Sequence, residues 1–95
     1  MRILLLDSYG DEENFVPLED GRDKHRHGSI MFNIIREVNP GADISAVKIV
    51  DNGGHTTNDL LCSGLVYAWE HKFDIVNISL GVRYLSPEVI YWLDV

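Results

Sequence analysis

Three short apolar runs constrain this chain most: Ile3-Leu4-Leu5-Leu6, Ile44 to Val50, and Phe73 to Ile78. Each ends in a turn rich in Asp, Asn, Ser or Gly, and each is followed by a segment of helical period. Near-continuous apolar runs of this length mark strands covered on both faces, as in a parallel sheet. Between and after them, Ile30, Met31, Ile34, Ile35 and Val38 recur at helical spacing until Asn39-Pro40-Gly41 stops the pattern. Leu60, Leu61, Gly64, Leu65, Ala68 and Trp69 form a second stripe, with Thr56 and Asp59 at capping-box spacing ahead of it. Ser86-Pro87 supplies an N-cap and a first-turn proline for a last helix carrying Val89, Ile90 and Leu93. The order predicts a three-layer α/β fold with a parallel sheet of about three strands (2–6, 43–50, 73–79) and three helices (28–38, 57–71, 86–94). All 95 residues fit one domain. In such sheets ligands bind beyond the carboxyl ends of the strands, an edge that takes in Asp7, Asp51 and Ser79-Leu80-Gly81.

Composition removes several function classes. A net charge of -7 with eight Lys and Arg leaves no basic face for a phosphate backbone, so nucleic acid is not an expected partner. The single cysteine, Cys62, excludes an internal disulfide and a cysteine-cluster zinc site, and fits a small packed residue. No apolar run approaches the roughly 18 residues needed to span a bilayer. The start, Met1-Arg2 and four apolar residues, is too short for a signal peptide, which reads as cytoplasmic for the chain as written.

Residues 8–26 form a polar loop long enough to suggest function, acidic at first (Asp11, Glu12, Glu13, Glu19, Asp20) and basic at its end (Arg22, Lys24, Arg26). Calcium wants six or more oxygen ligands, and a solvated loop is the simpler reading of these acids; no metal or cofactor is expected. At the two ends of the loop stand Asp7 and His27. A carboxylate and a histidine at the ends of neighbouring elements suit an orienting pair for base catalysis. His25 reads as a solvated loop residue, and His71 as a cation at a helix C-terminus.

Taken in order, these segments resemble the subtilisin-like serine proteases, the subtilases. Leu4-Leu5-Leu6-Asp7-Ser8 is similar to the strand delivering that family's catalytic Asp, and His27-Gly28-Ser29 to its His-Gly-Thr motif. Asn39-Pro40-Gly41-Ala42 resembles the family's Ala-Pro-Gly-Ala turn, and Ala46 to Asp51 the strand after it. Asp74-Ile75-Val76-Asn77-Ile78-Ser79-Leu80-Gly81 resembles its Asp-Val-Ile-Asn-Met-Ser-Leu-Gly run. The resemblance covers about residues 2 to 81 and implies that Asp7 is the orienting carboxylate and His27 the general base. It implies a peptide or protein substrate, with Ser79, Leu80, Gly81 and His55 bordering the cleft.

The departures carry as much. The family's nucleophile, in a Gly-Thr-Ser-Met-Ala-like motif, and its oxyanion-hole Asn have no counterpart among the 95 residues. The chain is therefore expected to be the N-terminal part of such a catalytic domain, inert alone. Ile30 stands where the family has a second His, and Phe32-Asn33 where it has a small Ala-Gly pair. Two further expectations fit the same residues: one half of a split protease completed by a second chain bearing the serine, or a non-catalytic peptide-binding module. Remote alternatives are a cobalamin-binding domain, from the Asp-x-His-x-x-Gly spacing of Asp23, His25 and Gly28, and a receiver-type domain, from the early Asp7 and Asp51.

Overall fold

A computed structural model of the chain describes residues 1–78 and 86–93. Its elements are β1 (Arg2–Asp7), β2 (Glu13–Asn14), α1 (His27–Val38), β3 (Asp43–Lys48), α2 (Asn58–Glu70), β4 (Ile75–Ile78) and α3 (Pro87–Leu93). The four strands form one parallel sheet in the order β2-β3-β1-β4. The α/β arrangement and the three helices are those the sequence predicts. The added strand, β2, is two residues long and polar, so it has no apolar run to announce it. Backbone geometry alone makes it a strand: it pairs Glu13 with Val47 and Asn14 with Lys48.

The leucine run makes β1 the centre of the sheet, paired with β3 from Arg2↔Asp43 to Asp7↔Lys48 and with β4 from Ile3↔Ile75 to Leu6↔Ile78. Alternation then divides its side chains between two layers. Leu4 and Leu6 join Val47, Ile49, Leu61, Leu65, Ala68 and Val89 in the core beneath α2 and α3. Ile3, Leu5 and Asp7, also buried, belong to the opposite face, where α1 crosses β1 and β3. At Gly64 an added Cβ would lie 2.9 Å from a Leu6 methyl, so glycine lets α2 lie close on the sheet.

The crossover after β1 leads to β3 on one side, and the crossover after β3 returns to β4 on the other. The switch point of the topology therefore lies between the carboxyl ends of β1 and β4. Asp7 closes β1 there. Ile49 and Val50, expected to extend β3, instead donate their N–H groups to the Asp7 carbonyl at 2.9 and 3.2 Å, folding the chain over the end of β1. Thr57, not Thr56, caps α2: its hydroxyl accepts from the Leu60 N–H at 3.1 Å, whereas the Thr56 hydroxyl donates to the Ile49 carbonyl at 2.7 Å. His71 is the C-cap of α2, its Nδ1 2.9 Å from the Tyr67 carbonyl and its ring stacked on Tyr67. Among the described residues no helix is long and apolar enough to cross a membrane.

Candidate active site

Asp7 reaches the sheet edge because β1 ends there, and the residue is only 1% exposed. Burial of a carboxylate is tolerated only where donors meet its oxygens. The Ser8 N–H donates to Oδ1 at 2.7 Å, and Nδ1 of His27 lies 2.9 Å from both Oδ1 and Oδ2. A carboxylate only accepts, so this geometry assigns the imidazole proton to Nδ1. Nε2 keeps its lone pair on the far side of a ring that is 45% exposed. The arrangement is a carboxylate fixing a histidine tautomer, with the basic nitrogen turned away and reachable.

His27 is held there by its backbone. It is the first residue of α1, and the N–H of Gly28 donates to the Ser8 hydroxyl at 2.9 Å, so the start of the helix is fastened to the residue beside Asp7. The approach leaves no space for a side chain: a Cβ on Gly28 would stand 2.7 Å from the Tyr9 nitrogen and 2.9 Å from the Ser8 nitrogen. Asp23 completes the corner. Its Oδ2 accepts from the N–H and the hydroxyl of Ser29, both at 2.7 Å, and its Oδ1 from the Arg26 N–H at 2.6 Å. Partial burial opposes ionisation of Asp23, but hydrogen bonds from Ser8, Ser29 and Arg26 outweigh it and hold the carboxyl below its usual range.

The other residues singled out from the sequence are more scattered. His55 directly follows the Asp51–Gly54 turn, largely exposed, its Nδ1 3.6 Å from Asp51 Oδ1. Asp51 faces inward along that turn; N–H groups of His55 and Gly53, opposed by slight burial, keep its carboxyl below the usual range. His25 is exposed as expected, packs against Gly54 and places its ring 6.4 Å from that of His27, bridging the two loops. Ser79, Leu80 and Gly81 lie outside the described residues.

The acidic loop is spent on the protein's own donors. Asp11 accepts from the Ala46 N–H, Asp20 pairs with Arg22, and Glu19 meets both the Asn52 N–H and the ammonium of Lys48. Lys48 is fully buried, its Nζ donating to the carbonyls of Asp20 and Arg22 and to Asn52 Oδ1 at 2.7–3.0 Å, so it stitches the loop to the Asn52 turn. Among the described residues no group of three or more His, Cys, Asp or Glu side chains is placed to hold a metal ion. Sequence reasoning gave Ser8, Asp23 and Lys48 no role in building this corner. The available signals were an Asp six residues before Ser29, at the mouth of a helix, and a lysine inside an apolar run.

No protein-family model matches the chain. It is 34% identical over 87 residues to a protein of Paenibacillus polymyxa described as an intracellular serine protease; the match takes in 87% of this chain and 26% of that protein. The chain thus spans about a quarter of the relative's length, and it is related to a protease.

Proposed function

We propose that this chain is the Asp-His part of the catalytic site of a subtilisin-like serine protease, with Asp7 the orienting carboxylate and His27 the general base. The observation that carries the reading is the contact of His27 Nδ1 with both oxygens of a buried carboxylate, which leaves Nε2 as the base. In the reaction, Nε2 would take the Oγ proton of a serine supplied by a second polypeptide as that oxygen attacks a peptide carbonyl. Asp7 would stabilise the imidazolium, and Nε2–H would then protonate the departing amine. The protease-related origin supports the same class, and peptides or proteins are the substrates it implies.

A fluorophosphonate probe, which marks activated serines, tests this. The expected outcome is no labelling of the 95-residue chain alone and labelling once a polypeptide matching the rest of the relative is added, on a serine of that added polypeptide. Asp7→Asn and His27→Ala should each abolish it. Labelling of the isolated chain, or complementation indifferent to His27→Ala, would reject the proposal. The place of β4 at the edge of the described sheet favours one other reading, a module that binds an extended peptide by strand addition. Tight binding of an unreactive peptide, unchanged by His27→Ala, would favour it.

A further inference from the structure

The residue just before His27 adopts a conformation that its side chain disfavours. Arg26 has φ 76° and ψ -10°, the left-handed region, where a Cβ meets the following carbonyl. It is the N-cap of α1, yet its own side chain makes no capping hydrogen bond. Such strain persists only where surrounding contacts over-determine it. Here they come from Asp23. One carboxylate oxygen takes the Arg26 N–H at 2.6 Å, ahead of the kink, and the other takes the N–H and hydroxyl of Ser29, beyond it. Gly28, which follows His27 along the helix, is held separately: its N–H donates to the Ser8 hydroxyl at 2.9 Å. Ser8 is covalently next to Asp7. Asp23 therefore ties the left-handed turn to the first turn of α1, which the Ser8–Gly28 hydrogen bond fastens to the end of β1.

We infer that Asp23 is a positioning residue for His27, holding Arg26 in its left-handed conformation so that α1 starts with the imidazole aimed at Asp7. The inference takes its functional meaning from the proposed base role of His27, but its geometry stands apart from any serine. The fit at Gly28, where even a methyl group would strike the backbone of Tyr9, leaves α1 little freedom to find His27's place by another route. An error in the turn at Arg26 would swing Nδ1 out of reach of Asp7.

The test is the NMR signal of the His27 Nδ1 proton in the 95-residue chain, followed with its rate of exchange with water; Asp7→Asn, which removes an acceptor, provides the reference for a broken contact. Asp23→Ala is expected to raise the exchange rate at least about tenfold while the core methyl signals of Leu4, Leu5 and Leu6 stay in place. Adding Arg26→Gly should reverse most of that rise, because glycine takes the left-handed conformation without a steric penalty. A cap that only stabilised the helix would not be replaced by a glycine at its kink. Wild-type exchange in folded Asp23→Ala overturns the inference, and so does a failure of Arg26→Gly to restore protection. If Asp23→Ala does not fold, Asp23→Asn takes its place with the same expected rise and the same reversal, and absence of either overturns it. No probe labelling enters these readouts, so they stand or fall independently of the complementation experiment.

Discussion

Asp23 also makes the site sensitive to acid. Its carboxyl, like those of Asp51 and Asp20, is held below the usual range by hydrogen bonds that favour the charged form. A group whose folded-state pKa is depressed contributes stability that is present above its unfolded value, about 3.9, and is lost as pH falls through the folded value. Urea midpoints should therefore hold steady from pH 7 to about 5 and decline below about 4. Asp23→Asn should cost about 1 kcal/mol at neutral pH, the size of a lost helix cap. The gap between variant and wild type should close as pH falls towards 3; parallel curves down to that pH would show that Asp23 contributes nothing through its charge. The places of Asp7 at the end of β1 and of His27 at the start of α1 were legible from the sequence because each sits at the boundary of a pattern, the leucine run for the first and the helical stripe for the second. Asp23 and Ser8 were not, because what they do depends on partners brought near by the fold: Ser29 six residues on for one, Gly28 twenty residues on for the other.

Among the elements, β1, α1, β3, α2 and α3 follow from apolar runs and stripes, and their bounds moved by two residues or fewer. The turn chemistry moved more. Thr56 and Thr57 are adjacent hydroxyls of equal capping merit, and only the path of the chain over Ile49 decides that Thr56 is taken by a carbonyl and Thr57 by the helix. The long loop was legible as a loop but not in its construction, because β2 is too polar and too short to show itself and its organiser is a lysine of β3. Lys48 donates to three oxygens and pairs with Glu19, all from a fully buried position. Lys48→Met keeps the stem and removes the charge, leaving those acceptors unpaired. Removing one partner of a buried pair costs about 3–5 kcal/mol, and Glu19, still partly in water, sets the expectation at about 3. Chemical denaturation should record that loss, and limited proteolysis should cut the 8–26 loop sooner. A loss under about 1 kcal/mol would mean that water replaces the ammonium without penalty.

At the scale of the whole chain, the apolar surface exceeds what the sheet can cover. The radius of gyration, 12.4 Å, is about that of a complete small domain of this length. Yet α1 carries two apolar faces. Gly28, Met31, Phe32 and Ile35 turn inward, while Ile30, Ile34 and Val38 remain 58, 47 and 79% exposed. The helical period was legible; which residues it buries was not, because a stripe that broad fits a helix covered on two sides and one sheet covers one. Burial decides the energetic outcome. Ile30→Gln together with Val38→Gln should change the unfolding free energy by less than about 1 kcal/mol, as exposed substitutions do. They should also reduce binding of a hydrophobic dye, since they remove part of a contiguous apolar surface. Leu5→Ala, at a side chain with no exposure, should cost about 2–5 kcal/mol and raise dye binding as the fold loosens. Were the two glutamines to cost as much as the alanine, α1 would already have its outer face covered in the isolated chain, and its two apolar faces would have to be assigned anew.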